Sequence, residues 1–248
     1  MFLQSTLNTS INGCEFGFSH GLTGSRAKKR IFLLPINRVG KPAYDFMGNY
    51  IKQIEFKQKR EYIKYALKKL KNLKYKDIPR LEEKDWKEFL TSNLFVITIG
   101  KNINANKVDK TGGHFAYVTR KENSNGIDGF LDYDKSYLNK SFPVITIGNE
   151  TAEAYVQNYS FFTGTKINIL KPKVNLSHYC LFFISQSFKM HKSKYSYSFT
   201  ANSARLKKQK ILLPINSIEE PDYEYMEQYV KNLIYRKMND YLNQSRIL

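Results

Sequence analysis

Residues 26–52 read RAKKRIFLLPINRVGKPAYDFMGNYIK, and residues 205–231 read RLKKQKILLPINSIEEPDYEYMEQYVK. At a constant offset of 179 positions, with no gap, 13 of the 27 pairs are identical, which chance does not supply. The identities include Arg26/Arg205, Lys28/Lys207, Lys29/Lys208, the run Leu33–Asn37 against Leu212–Asn216, Pro42/Pro221, Tyr44/Tyr223, Met47/Met226, Tyr50/Tyr229 and Lys52/Lys231. One structural unit therefore occurs twice, with different sequence between the copies. Each copy opens on a short apolar run, Ile31–Ile36 or Ile211–Ile215, which reads as a buried strand stopped by a turn. Pro42 and Pro221 follow, at positions suited to the first turn of a helix.

Beyond each proline the apolar spacing is helical. Met47, Ile51, Ile54, Ile63, Leu67 and Leu70 mark a first stripe, on a helix running to about Leu73. Met226, Val230, Leu233, Met238 and Tyr241 mark a second, on a helix reaching toward residue 248. Long helices with narrow stripes suit helix-on-helix packing, here expected to be antiparallel and coiled-coil-like. The first is basic: ten Lys or Arg lie between Gly48 and Lys76 against Glu55 and Glu61, a charged strut or simply a solvated face.

Between the copies lies a region of mixed pattern. Leu81–Leu90 (LEEKDWKEFL) reads as a short helix holding Trp86 and Phe89. Strands are expected at Phe95–Ile99, Phe115–Val118, Val144–Ile147, Ala154–Val156 and Lys166–Leu170, and a helix at Ser177–Lys189. Asn123–Gly126 is a turn signal, and Pro172 reads as opening a loop. The fold class expected is α+β: a mixed α/β domain over 79–216, flanked by helices at 42–76 and 221–248. Under the same offset Met1–Gln4 falls on Cys180–Phe183, and Phe16 and Phe18 fall on Tyr195 and Tyr197. Residues 1–41 therefore read as the remnant of a first domain of this type.

Forty Lys and Arg against 22 Asp and Glu give a formal charge of +18 and an isoelectric point near 9.7, a balance suited to a polyanionic partner. No apolar run approaches the roughly 20 residues of a membrane span, and residues 1–25 lack a secretory pattern. Cys14 and Cys180 read as free thiols, and the expected location is cytoplasmic. His20, His114, His178 and His191 are scattered, without metal-ligand spacing. No phosphate loop or Gly-rich cofactor loop is present, and no cofactor is expected. Asp128, Asp132, Asp134 and Lys135 are the nearest approach to a nuclease cluster, and a solvated loop accounts for them better.

Ile211-Leu-Leu-Pro-Ile215 followed by Pro221-Asp-Tyr-Glu-Tyr-Met226 resembles the repeat of type I restriction-modification specificity subunits, closest to the branch fused or paired with type IIB and IIG enzymes. Asn125-Gly126-Ile127 after a Tyr-Val-Thr-Arg strand, Ile145–Asn149, Phe162-Thr163 before Ile167–Leu170, and Lys194–Tyr197 running into Arg205 are similar to that family's target-recognition domain. The resemblance implies two recognition domains in a full subunit, each reading half of a split site in double-stranded DNA. The paired helices would set the spacing and dock methyltransferase subunits. This chain departs from that plan in carrying one complete domain and a truncated first one.

On this reading the chain is a non-catalytic subunit, with double-stranded DNA, a methyltransferase subunit, an endonuclease subunit and a second copy of itself as candidate partners. The alternatives are the recognition part of a single-chain restriction enzyme and an orphan adaptor without DNA reading. Asn, Gln, Arg and Lys read base edges, while Lys, Ser and Tyr grip phosphates. The candidate DNA contacts are thus Lys107, Lys110, Arg120, Lys121, Asn123 and Asn125 in one group, and Lys192, Lys194, Tyr195, Tyr197, Arg205, Lys207 and Lys208 in another. Arg205 has a rival role, pinning the junction it shares with Arg26.

Overall fold

The computed structural model describes residues 1–11, 21–29 and 31–245. The expectations for Cys14, Phe16, Phe18 and His20 lie outside the described residues. The chain forms two compact units, Met1–Asn72 and Leu73–Leu248.

In the first unit, α1 (Phe2–Ile11) and the short α2 (Gly24–Lys28) precede the long α3 (Tyr44–Leu73). The Phe2 ring packs edge-on against Tyr50 of α3, 5.8 Å between centroids. The apolar run before α3 is not a strand. Only Ile36 forms a bridge, to Pro42, and Ile31 and Leu33 are nearly 90% exposed. In the second copy the equivalent run pairs with a strand 124 residues upstream, whereas among the described residues no strand pairs with Ile31–Ile36.

The second unit contains β1 (Trp86–Leu90), α4 (Thr91–Leu94), β2 (Phe95–Ile99), β3 (Phe115–Val118), β4 (Ile127–Leu131), β5 (Val144–Gly148), β6 (Ala154–Gln157), β7 (Phe161–Thr163), β8 (Ile167–Pro172), α5 (His178–Lys189), α6 (Ser203–Lys208), β9 (Lys210–Pro214) and α7 (Tyr223–Ser245). A four-stranded antiparallel sheet has the order β2-β8-β5-β6, and a three-stranded sheet the order β4-β3-β7 with β3 and β7 parallel. β1 and β9 form a separate antiparallel pair, with Trp86 opposite Pro214.

Every residue of β5 is buried, because both faces of its sheet are covered. Ile145 and Ile147 face a core completed by Leu170, by Cys180, Leu181, Ile184 and Phe188 of α5, and by Leu206, Ile211, Leu213 and Met226. Val144, Ile167 and Ile169 face Val118 and Phe161 instead. A strand buried on both faces needs a continuous apolar run rather than alternation, which is what VITIG provides. Each such side chain contributes about 1.5–3 kcal/mol on burial.

Three local expectations require correction. Leu81–Leu90 is not a helix: Leu81–Glu83 is one 3-10 turn and Trp86–Leu90 is a strand. Trp86, Phe89 and Leu90 are its better-covered residues, and that spacing imitates a helical stripe. Pro172 closes β8 rather than opening a loop. Pro42 and Pro221 stand two residues ahead of α3 and α7 rather than inside the first turn.

From the proline turn onward the two copies fold alike. Asn37 Oδ1 accepts from the amides of Val39 and Lys41, and Asn216 Oδ1 from those of Ile218 and Glu220. Ile36 bridges Pro42 as Ile215 bridges Pro221. Upstream, Thr23 caps α2 by accepting from the Arg26 amide, as Asn202 caps α6 by accepting from that of Arg205. Arg26 donates to the Gly21 carbonyl at 2.7 Å, and Arg205 to that of Thr200 at 2.8 Å. Within the second unit, α7 also holds the segment ahead of the sheets. Asn232 donates to the Lys76 carbonyl and accepts from its amide, and Tyr225 donates to the carbonyl of Pro79.

Candidate nucleic-acid interface

Two loops meet at one end of the four-stranded sheet, beside the turn that joins β5 to β6. Residues 119–126 leave β3 and return as β4. Residues 190–202 leave α5 and return as α6. Lys192 ties them together, donating to Glu153 at 2.6 Å and to Glu122 at 3.0 Å. Those carboxylates hold the Lys192 ammonium above its ordinary pKa. Between the loops lies an open recess of about 500 Å³, lined by Glu122, Glu150, Lys189, Lys192 and Tyr195 among others.

Much of the predicted basic set here is already engaged. Arg120 and Lys166 both donate to Glu150. Burial pushes the Glu150 carboxyl up, but the bonds from Arg120 and Lys166 outweigh it and hold the group below the usual carboxylate range. Lys110 and Lys121 share Asp128, at 2.9 and 3.7 Å. Asn125 sits at φ +56° and turns its side-chain amide inward to the Val156 carbonyl, while Gln157 donates to its backbone oxygen. Asn123 is exposed at the turn, and Lys107 is exposed without an ion pair among the described residues. Of the acidic residues weighed as a metal cluster, Asp128 serves the two lysines, Asp132 accepts from His114, and Asp134 caps the turn at Ser136.

The 190–202 loop is a braced projection. Tyr195 donates its hydroxyl hydrogen bond to Gln209 and stacks on Phe199 at 6.2 Å. The Arg205 guanidinium covers the Phe199 ring at 3.9 Å while donating to the Thr200 carbonyl. Both contacts tie Arg205 to the 190–202 loop. At the base, Asn168 is fully buried and donates to the carbonyls of Ile147 and Ala201 and to Asn149 Oδ1. Tyr197 is left at the tip, 89% exposed. Lys194, Lys207 and Lys208 are exposed, with no ion pair among the described residues. A braced stem carrying the exposed Tyr197 ring and free ammonium groups costs little further ordering when it meets a ligand.

One signal was missed in the individual residues. From Ala154 to Ile218 the chain has no Asp or Glu, yet it has ten Lys or Arg, so the positive charge of this stretch has no neutralising acid within it. Asn168, which positions the loop, gave no sequence cue, since it stands between Ile167 and Ile169 in an apolar strand.

Of the helix positions singled out above, Met226 is fully buried in the core of the second unit. Val230 is half-buried, and Leu233 is 40% exposed. On α3, Ile54 and Leu67 are 36% and 42% exposed. No helix among the described residues is long and apolar enough to cross a membrane.

Residues 83–244 match the family described as the type I restriction modification DNA specificity domain. Over 147 residues the chain is 45% identical to the type II restriction enzyme BgcI specificity subunit S.BcgI of Heyndrickxia coagulans, covering 59% of this chain and 43% of that protein. Among solved structures it is similar to the type I restriction-modification system S subunit from M. genitalium, with TM-score 0.48 and 16% identity over 77% of this chain and 50% of that one. The HsdS subunit from Thermoanaerobacter tengcongensis gives TM-score 0.40 and 12% identity over 98% and 60%. The chain thus spans less than half the length of the curated relative.

Proposed function

The chain belongs to the type I restriction modification DNA specificity domain family, and from that premise we propose that it reads a sequence in double-stranded DNA for a restriction-modification system. The observation that carries this is the braced loop at 190–202. It presents Tyr197 and the unpaired Lys194 beside Lys207 and Lys208, in a stretch of sequence with no acid. Lysines release counterions from the phosphates and give salt-dependent affinity, while side chains on a stiff loop discriminate base edges. Lys107 and Asn123 supply further contacts. Lys192 acts chiefly by fixing the two loops to each other, while Arg120 and Lys121 act by tying the 119–126 loop to Glu150 and Asp128. The chain supplies recognition and no covalent chemistry, and it works in the cytoplasm.

A methyltransferase subunit docks on the long helices α3 and α7, whose exposed apolar positions include Ile54, Leu67 and Leu233. Residues 1–41 carry the closing elements of a second recognition domain. What supports this is the pair of matched caps and arginine contacts at Arg26 and Arg205. One complete domain reads one half-site, so two copies of the chain related by a two-fold axis would read a palindrome.

The test is co-expression with a candidate methyltransferase subunit, followed by mapping of methylated sites. A single methylated motif is expected, and Tyr197→Ala is expected to relax it, each lost base contact costing about 1–3 kcal/mol of discrimination. Methylation that is absent, or a motif unchanged by Tyr197→Ala together with Lys194→Gln, overturns the assignment of this loop.

A further inference from the structure

The opposite end of the four-stranded sheet carries a second basic feature. The loop entering β5 and the loop leaving β8 lie side by side, because β5 and β8 are antiparallel neighbours with Ile145 opposite Leu170. Between them is an open cleft of about 350 Å³, whose lining includes Lys140, Phe142, Lys171, Lys173 and Val174 and no acidic residue. All three lysines are exposed, and none has an ion pair among the described residues. Phe142 and Val174 are 50% and 51% exposed in the same cleft. Tyr159, just past the end of the neighbouring β6, is 81% exposed.

Three unpaired ammonium groups beside the exposed Phe142 and Val174 repel one another, and a polyanion with an apolar flank relieves that repulsion. The sugar-phosphate backbone of duplex DNA has this chemistry: phosphates for the lysines and sugar carbons for Phe142. β5 is five residues long, so the cleft stands about 17 Å from the reading loops at a strand rise of about 3.3 Å per residue. Successive phosphates of one strand advance about 3.4 Å along the axis. The separation therefore corresponds to about five base steps, within reach of the same duplex.

We propose that the Lys140–Phe142–Lys171–Lys173 cleft is a second, sequence-independent contact, gripping the DNA backbone outside the bases that the 190–202 loop reads. The inference rests on the DNA-reading assignment above. It assigns a distinct task to residues that assignment does not use: affinity without discrimination.

The experiment is fluorescence anisotropy of the full chain with a duplex carrying the methylated motif and with an unrelated duplex, from 50 to 200 mM salt. Wild type is compared with K140Q/K171Q/K173Q and, separately, with K194Q/K207Q/K208Q. Circular dichroism and urea midpoints check that the variants fold. If three phosphate contacts are lost, the slope of log K against log salt falls by about 0.9 for each. Wild type then loses about 40-fold more affinity than the cleft variant across this fourfold salt range. The preference for the motif over the unrelated duplex stays unchanged, because phosphates carry no sequence. As a second measurement, bound duplex is expected to protect Lys140, Lys171 and Lys173 from acetylation by an amine-reactive ester. A cleft variant with wild-type slope and no protection overturns the inference while leaving the reading loop intact. The same holds for a variant that loses only its methyltransferase partner, which would make the cleft a protein-docking surface. A wild-type chain that binds neither duplex overturns the DNA-reading assignment itself.

Discussion

Asn168 holds the 190–202 loop to the sheet, and its replacement separates donor from shape. Its side-chain nitrogen lies 3.1 Å from the Ile147 carbonyl, 2.9 Å from that of Ala201 and 2.7 Å from Asn149 Oδ1. Its own oxygen is buried and meets no donor among the described residues. The value of the residue therefore lies in its two N–H groups. Asn168→Ala removes both, at about 1 kcal/mol net for each bond, and leaves a small void, together about 3 kcal/mol. Asn168→Asp keeps the shape but sets oxygen against three acceptors in a buried site, which costs about 4 kcal/mol or more. For a unit of this size about 3 kcal/mol corresponds to a fall of roughly 6–12 °C in Tm. Trp86, the single tryptophan, reports urea unfolding, and limited proteolysis reports loosening of residues 195–200. The expected order is wild type, then Ala, then Asp, with cleavage in the loop rising in parallel. An Asp variant within about 0.5 kcal/mol of wild type would refute the reasoning, since opposed acceptors in a dry site cannot be nearly neutral.

Three further outcomes are expected. Glu219 sits at φ +59°, where the first copy places Gly40 at φ +76°, and its ion pair with Lys87 is exposed. Glu219→Gly therefore raises the thermal midpoint, and a lowered midpoint would show that the ion pair outweighs the backbone strain. The lowered pKa of Glu150 stabilises the folded domain above the ordinary glutamate value of about 4.3, and that contribution disappears as the pH falls through the lowered value. Urea midpoints are accordingly expected to drop in that acid window for wild type and to drop less for Glu150→Gln. Burial, with the nearby charge of Glu227, pushes the Cys180 thiol up to about 12. In a Cys14→Ser background no thiol should react with an aromatic disulfide at pH 8 until urea unfolds the chain.

The repeat was legible because both copies use the same proline turn, and identical side chains make identical local bonds at Asn37 and Asn216. The doubly buried β5 was equally plain, as a run of apolar residues closed by Gly148-Asn149. β4 was not, because Gly129 at φ +146° and a register shift between Ala116 and Val118 erase any alternation in IDGFL. β7 has three residues and pairs with a strand far away in sequence, so nothing local announces it. Residue type alone pointed to residues of both loops that Lys192 joins in the candidate interface. It did not separate groups that face outward, such as Tyr197 and Lys194, from Arg120, Lys110 and Arg205, which have partners within the domain. That distinction depends on Glu150, Asp128 and Phe199, brought close only by the tertiary fold.

The β1–β9 pair has a consequence for how such a protein changes over generations. Trp86 lies opposite Pro214 and Leu90 opposite Lys210, so the chain enters and leaves the domain through a single two-stranded clasp. Everything from residue 91 to residue 209 is an excursion whose two ends are already neighbours. A segment of different sequence, even of different length, can replace it without altering the distance its flanks must span. Recombination at the clasp would then exchange both the 119–126 and the 190–202 loops in one step, while the α7 contacts to Lys76 and Pro79 stay as they are.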